Sequence, residues 1–343
     1  MIQLEQKIFA LNRLGEFLRN IDSNDPNYDS LFDVISQAKT VNGWFSRENV
    51  LYAFSQWGES LSTKNLSKWT QSYTFEQKFT QTIGLILAGN IPLVGFHDVL
   101  SVLISGHKVL IKCSTSDPLL IPFLVKKLQE FEPDFTSLVE FTSERFKSFD
   151  AIIATGSNNA ARYFEYYFSK VPNLIRSNRN GIAILDGSET KEQLEALAKD
   201  IVQYYGLGCR STAKIFVPNQ YDLNLIFGAL YPYSNLMDSE KYANNYDYNK
   251  AVYLMSQFDI LDNGFFVLKE DSTYSSPVAC LHYEYYENLV SLEEKLTQDQ
   301  DQIQCITSNQ EKENHFAFGK AQHPKLWDYA DGKNTLDFLT LLS

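Results

Sequence analysis

Between Thr82 and Pro218 the chain alternates short apolar runs with amphipathic stretches of helical length, and this alternation limits the fold more than any other feature. Thr82–Leu87 (TIGLIL), Val109–Lys112 (VLIK), Leu138–Thr142, Ala151–Ala154 and Gly181–Leu185 (GIAIL) read as strands. Ile91-Pro92 opens a helical pattern running to about Ser105, and Pro118–Phe131 gives a second. Proline suits a helix start, where its missing N–H would have had no partner. A third helix follows Thr155-Gly156-Ser157 to about Ser169, and a fourth runs from about Ser188 to Tyr205. Strands alternating with helices of about 10–15 residues join as parallel βαβ units, which predicts an α/β protein with a doubly wound, Rossmann-type sheet. Four regions are expected: a helical segment 1–75 with Trp44, Trp57 and Trp69 as packing anchors, a doubly wound lobe 76–187, a second α/β lobe 188–320, and a segment 321–343 packed back on the body as a strand or helix.

Composition removes several function classes. The 343 residues are 44% hydrophobic, enough for a large core shared between two lobes. A formal net charge of -12 argues against a nucleic-acid partner, because phosphate binding needs clustered Lys and Arg. The N-terminus reads as an amphipathic helix carrying Glu5 and Glu16, not as a signal peptide. No run approaches the roughly 18 apolar residues that span a bilayer. Cys113, Cys209, Cys280 and Cys305 lie far apart without a CxxC, and His97, His107, His282, His315 and His323 have no metal-ligand spacing. Neither a metal site nor a disulfide scaffold is expected, and a reducing cytoplasm fits best.

The stretch GLGCRSTAKIFVP (Gly206–Pro218) carries the chemistry. Its glycines let the backbone approach a ligand, and a thiol held there with a lowered pKa is a nucleophile able to carry an acyl group as a thioester. The alternative is a buried cysteine serving as a small hydrophobe. His97, just after the Asn90 turn, is a candidate for proton transfer to a leaving thiol, against a surface or helix-cap role. The tyrosines at 242–253 and 283–286 read as core or subunit-contact residues, and the acidic run 293–301 as a solvated helix face.

Four segments in order, LAGNIPLVGFHDVLSVLISGHKVLIKCS (Leu87–Ser114), ATGSNNAARYF (Ala154–Phe164), GLGCRSTAKIFVP, and SSPVACLHYEYY (Ser275–Tyr286) with FGKAQHPKLWDYADG (Phe318–Gly332), resemble the aldehyde dehydrogenase superfamily. Within it they most resemble the acyl-CoA reductase branch, the LuxC-like fatty acyl reductases. The resemblance implies a nicotinamide-binding lobe over 76–187 and a catalytic thiol lobe over 188–320. It makes Cys209 the acyl-carrying nucleophile and Asn90 the side-chain donor to the oxyanion, an effect worth a few kcal/mol. It matches Lys112 to the lysine that contacts the adenine-side ribose, and Gly156 and Ser157 to the Gly-Ser facing the cofactor diphosphate at a helix N-terminus.

Three departures refine the expectation. Ile175–Leu185 corresponds to the element that carries a glutamate base in hydrolytic aldehyde dehydrogenases, and it holds no acidic residue. Transfer between thiols is therefore favoured over hydrolysis. Thr115 stands where NAD-using relatives place a carboxylate on the ribose 2′-OH, which favours NADPH over NADH. Thr273–Pro277 replaces the element that positions the nicotinamide ribose, without its glutamate. The expected function is NADPH-dependent reduction of an acyl thioester, from acyl-CoA or an acyl-protein, to an aldehyde. The alternatives are a non-catalytic subunit of a lipid-synthesis complex, or an aldehyde dehydrogenase forming the acid. A homo-oligomer is left open.

Overall fold

The computed structural model describes residues 2–75, 80–310, 312 and 315–342. The chain divides into two compact units, Met1–Ser177 with Lys325–Ser343, and Asn178–Pro324.

The first unit begins with four helices, α1 (Leu4–Arg19), α2 (Asp29–Val41), α3 (Arg47–Ser60) and α4 (Thr63–Thr70). Leu11, Leu14 and Leu18 recur at helical spacing on α1 and are buried. Trp69 is buried and donates its indole N–H to the Tyr329 hydroxyl at 2.9 Å, while Trp44 and Trp57 are half-buried. The βα alternation follows as β1 (Thr82–Ile86), α5 (Phe96–Ser105), β2 (Lys108–Lys112), α6 (Leu120–Phe131), β3 (Val139–Phe141), β4 (Ala151–Thr155), α7 (Asn158–Phe168) and β5 (Asn173–Arg176). The sheet order is β3-β2-β1-β4-β5, and every neighbouring pair is parallel. Parallel strands are covered on both faces, which is why Ile83, Leu85, Val109, Ile111, Ile152 and Ile153 form near-continuous apolar runs.

One buried ion pair ties the chain's end to this unit. Arg176, at the end of β5, donates to Asp98 on α5 at 2.5 Å and to the Thr335 hydroxyl at 2.8 Å. Thr335 opens the C-terminal helix, Thr335–Thr340. Both charged side chains are buried, at 4% and 5% exposure. Lys333 adds a bond to the Ile175 carbonyl at 2.8 Å.

The second unit holds β6 (Asn180–Ile184), α8 (Lys191–Val202), β7 (Thr212–Pro218), α9 (Asn224–Leu230), α10 (Glu240–Met255), β8 (Ile260–Asp262), β9 (Val267–Glu270), β10 (Cys280–Tyr286), α11 (Leu289–Gln298), β11 (Ile303–Ser308) and β12 (His315–Phe316). The sheet order is β12-β11-β6-β7-β10-β9-β8, parallel except for β8 against β9. Leu292 and Leu296 of α11 pack with Ile182, Ile184, Phe216 and Tyr274.

Two local expectations are corrected. The GIAIL strand, read as part of the first lobe, pairs with β7 and β11 in the second sheet, whereas β5, unmarked in the sequence reading, closes the first. The helix expected from Ile91 begins at Phe96. Leu93 (φ 64°) and Gly95 (φ 83°) are left-handed, a conformation that cannot propagate a right-handed helix. Among the described residues no helix is long and apolar enough to cross a membrane.

Candidate active site

In the first sheet the strand order reverses between β1 and β4, since the chain moves outward from β1 through β2 to β3 and then returns to β4 on the other side. Open α/β sheets bind ligands outside the carboxyl ends of their strands at such a reversal. Ile86 of β1 is in register with Lys112 of β2 and with Ala154 of β4, so the three strand ends are level. The loops leaving this edge carry Asn90, then Lys112 to Thr115, then Gly156 and Ser157. The structure thus brings five of the six expected site residues to one edge of one sheet; Cys209 belongs to the second unit.

Close backbone approach shapes these loops. A Cβ on Gly89 would lie 2.7 Å from the Cβ and Oγ of Ser114, so the Asn90 loop and the 114–117 turn pack without a side chain between them. The Asn42 amide donates to the Gly89 carbonyl at 3.3 Å. Asp117, 4% exposed, takes the Leu93 N–H at 3.1 Å on one carboxylate oxygen and the Leu120 N–H at 3.2 Å on the other. It therefore holds the strained Leu93 in place and starts α6. Burial pushes its carboxyl up to about 6, against the backbone bonds from Leu93, Leu120 and Leu119 that favour the charged form. Asn90 and Thr115 are exposed, and Lys112 donates to the Glu144 carbonyl at 3.3 Å. A Cβ on Gly156 would meet the Ala160 Cβ at 2.8 Å, and the Ser157 hydroxyl caps α7 by accepting the Ala160 N–H at 3.3 Å.

His97 sits elsewhere in chemical terms. Its Nε2 donates to the Leu326 carbonyl at 2.8 Å, and its ring centre lies 5.2 Å from Trp69 and 5.5 Å from Tyr329. Burial in this aromatic surround lowers its pKa, so it is held as a neutral, structurally bonded imidazole.

Cys209 is the exposed thiol of the four; Cys113 is half-buried, and Cys280 and Cys305 are buried. Burial pushes Cys113 up to about 11, Cys280 to about 12 and Cys305 to about 11, which leaves those thiols protonated at neutral pH. The turn before Cys209 is unusual. Tyr204 (φ 55°), Tyr205 (φ 57°) and Gly206 (φ 74°) are consecutively left-handed. Each non-glycine residue so placed costs about 1–2 kcal/mol, and such strain persists only where the surroundings hold it.

The residues that follow are tightly bonded. Gly208 donates its N–H to the Ser211 hydroxyl at 3.2 Å, and the Ser211 N–H returns to the Gly208 carbonyl at 2.9 Å. Gln322 donates to the same hydroxyl at 3.1 Å. Arg210 reaches the Ala321 carbonyl at 2.6 Å and stacks 4.6 Å from the Phe316 ring centre. Asp200, buried and raised to about 6 by that burial, accepts the N–H groups of Gly319 at 2.6 Å and Ala321 at 3.1 Å. Beneath the turn, a Cβ on Gly181 would lie 2.7 Å from both the Arg210 and Ser211 carbonyl oxygens. Sequence reasoning missed Gly181, because a strand glycine reveals a close approach only once its neighbour is known. The left-handed tyrosines carry no sequence signal at all.

A family model for acyl-CoA reductase (LuxC) matches residues 19–226, more than half of the chain. The chain belongs to the LuxC acyl-CoA reductase family. Its fold is that of aldehyde dehydrogenases. Aldehyde dehydrogenase 21 from Physcomitrella patens, solved with the reaction product succinate, is similar at TM-score 0.65 and 11% identity, covering 91% of this chain and 74% of that one. The aldehyde dehydrogenase KauB from Pseudomonas aeruginosa is similar at TM-score 0.64 and 12% identity, covering 90% and 72%. The Mycobacterium tuberculosis aldehyde dehydrogenase complexed with NAD+ is similar at TM-score 0.63 and 12% identity, covering 91% and 74%. At such identities the likeness is one of fold. No curated protein matches the chain. As a member of the acyl-CoA reductase family the chain is an oxidoreductase. Among the described residues no group of His, Cys, Asp or Glu could hold a metal ion.

Two consequences are measurable. Gly181→Ala forces the 210–211 backbone away from β6, since both contacts are with main-chain atoms that cannot swing aside. We expect a stability loss of about 1–3 kcal/mol and at least a tenfold fall in the iodoacetamide alkylation rate of Cys209, read by peptide mass spectrometry. An unchanged rate would show that the turn tolerates the methyl group.

Asp117 generates a pH effect. Its folded pKa of about 6 lies above the ordinary 3.8, so the stabilisation present below pH 3.8 is lost as pH rises through about 6. Asp117→Asn removes that loss. The melting-temperature deficit of the variant relative to the parent should therefore shrink between pH 4 and 7, by the equivalent of at most about 3 kcal/mol. A deficit that is constant or grows with pH contradicts the assignment.

Proposed function

We propose that the chain reduces an acyl thioester to an aldehyde, with NADPH as reductant and Cys209 as carrier of the acyl group. The observation that carries the reading is the contrast among the thiols within an acyl-CoA reductase family member: three are withdrawn and protonated, while Cys209 is exposed on a strained, tightly braced turn.

In the first half-reaction Cys209 Sγ bonds to the acyl carbon, the bond from that carbon to the donor's sulfur breaks, and the donor leaves as a thiol after taking a proton from water. NADPH, held by Lys112, Thr115 and the Ser157 helix N-terminus, would supply the hydride that reduces the acyl carbon. The carbonyl re-forms as an aldehyde when the bond to Cys209 Sγ breaks, and Cys209 returns to the thiolate ready for another turnover. The role assigned to Asn90 is donation of its side-chain amide to the oxyanion. No acidic residue lies between Ile175 and Leu185, and Arg176 in that stretch is buried against Asp98, so nothing there activates water against the acyl-enzyme. That absence disfavours acid formation.

The edge of the first sheet suits a dinucleotide. Ser157 opens a helix N-terminus suited to a diphosphate, Gly156 packs against Ala160 of that helix, and Lys112 with Thr115 would face the adenine-side ribose. The first acidic residue after Lys112 is Asp117, and both of its oxygens are taken by backbone N–H groups. No carboxylate of that turn is therefore offered to a ribose 2′-OH, which supports NADPH over NADH. The donor is acyl-CoA or an acyl group on a protein, and the need for a reduced Cys209 suits a cytoplasmic reaction.

Cys209→Ser should abolish reduction and the hydroxylamine-labile acyl adduct, since a serine without a strong base cannot take up the group. Serine at 113, 280 or 305 should leave the adduct intact. The check is intact-mass spectrometry after incubation with acyl-CoAs, and an adduct surviving in the Cys209 variant sinks the assignment.

Thr115→Glu should move preference toward NADH. Like charges at about 4 Å repel by roughly 4 kcal/mol at an effective dielectric of 20. A third of that changes the ratio of kcat/KM for the two cofactors about tenfold. An unchanged ratio would mean that residue 115 does not face the ribose.

A further inference from the structure

We propose that Asp200 is a positioning residue for Cys209: it clamps the 319–322 loop that fastens the thiol turn, and its ionisation loosens the clamp. The consequence for acyl uptake rests on the acyl-reductase reading above. Asp200 lies in the last turn of α8 and is 1% exposed. One of its oxygens accepts the Gly319 N–H at 2.6 Å, and the other accepts the Ala321 N–H at 3.1 Å. The loop lies directly on the helix. Gly319 is left-handed (φ 80°), and a Cβ there would come within 3.0 Å of the Ala196 Cβ, one turn before Asp200. The same loop reaches back to the two residues that follow the thiol. The Ala321 carbonyl accepts the Arg210 Nε–H at 2.6 Å, and the Gln322 amide donates to the Ser211 hydroxyl at 3.1 Å. Ala321 is the shared link: its N–H goes to Asp200, and its carbonyl goes to the neighbour of Cys209.

The clamp is sensitive to charge because the carboxylate has backbone donors but no bonded cation. Arg210 spends its Nε on Ala321 and its face on the Phe316 ring. Two N–H groups do not replace the water that burial removes, so desolvation holds the carboxyl at about 6 against the ordinary 3.8. When the loop lifts, the carboxyl meets water and its ordinary value returns. The lifted arrangement therefore gains on the clamped one as pH rises towards 6, and the gain from pH 5 to 8 is about tenfold. The other groups facing Asp200 are Arg210 from the thiol turn, Cys305 from β11, Tyr233 after α9, and Lys199 beside it on α8. Burial holds Cys305 at about 11 and raises Tyr233, which leaves both neutral in this window. Lysine and arginine side chains as a class stay charged there. His323, next to Gln322 on the loop, is the control.

The test follows the parent, Asp200→Asn and His323→Gln across pH 5 to 8. The first readout is hydrogen exchange of the Gly319 and Ala321 amides, corrected for the intrinsic rise of exchange with pH. Protection should fall about tenfold in the parent and in His323→Gln, levelling off above about pH 6, and stay flat in Asp200→Asn. The second is acyl uptake by Cys209 from acetyl- and octanoyl-CoA, read by intact mass. It is divided by the iodoacetamide alkylation rate of Cys209 at the same pH, which cancels the thiolate fraction. That quotient should fall at least about threefold over the same range in the parent and in His323→Gln, and stay flat in Asp200→Asn. Protection that does not fall in the parent overturns the clamp. A quotient that does not fall with it, or a fall lost in His323→Gln, overturns the positioning role of Asp200. The decisive profiles are those of the parent, so a misfolded variant does not shield the proposal. No acyl uptake at any pH overturns the acyl-enzyme reading and the positioning role with it, while the exchange profile decides the clamp by itself.

Discussion

Parallel pairing governs the first unit. Every strand of its sheet runs in the same direction, so each connection must cross back along the sheet, through a helix everywhere except between β3 and β4, and each strand leaves its C-terminal loop on the same edge. The order β3-β2-β1-β4-β5 then places a reversal between β1 and β4, where helices on opposite faces part. Asn90, Lys112, Thr115, Gly156 and Ser157 share an edge for this reason and not because they are near in sequence. Burial on both faces is the counterpart: it demands the apolar strands and the almost wholly buried α5.

Loops at the two candidate sites are fastened by the same device. Asp117 and Asp200 are both buried, and each divides its two oxygens between two backbone N–H groups of a loop. Burial raises both, which shows desolvation outweighing the backbone bonds. Such carboxylates hold a loop at the cost of stability above their pKa. The Asp98–Arg176 pair differs. There a full counter-charge at 2.5 Å and the Thr335 hydroxyl compensate for burial, and removal of either partner would leave an unpaired charge in the core.

The thiol turn illustrates how strain is retained. Three left-handed residues in succession are unfavourable in isolation. The backbone that follows them is fixed: Gly181 lets β6 run directly beneath residues 210–211, Gln322 and Arg210 fasten that stretch to residues 321–322, and the Ser211 hydroxyl donates to the Gln203 carbonyl at 3.4 Å, just before the left-handed residues. For the acyl-carrying role proposed for Cys209, a thiol held by its backbone in this way would lose little entropy on reaction.

The α/β class, the parallel sheet and most element positions were legible from apolar periodicity and Gly/Pro punctuation, because these report burial pattern and chain reversal locally. Cys209, Asn90 and the Gly-Ser of residues 156–157 were legible as motif residues. The sequence by itself also determined what the site lacks, a carboxylate between Ile175 and Leu185 and one at position 115, since an absent charge cannot be restored by folding. Other features required the tertiary structure. The assignment of the GIAIL strand to the second sheet depends on a choice of partner strands that periodicity does not encode. The late start of α5 goes with a bond that the Leu93 N–H donates to Asp117, 24 residues away. The role of Gly181 and the strain at Tyr204 and Tyr205 exist only because distant backbones are pressed together, and no local propensity records a contact between segments separated in the chain.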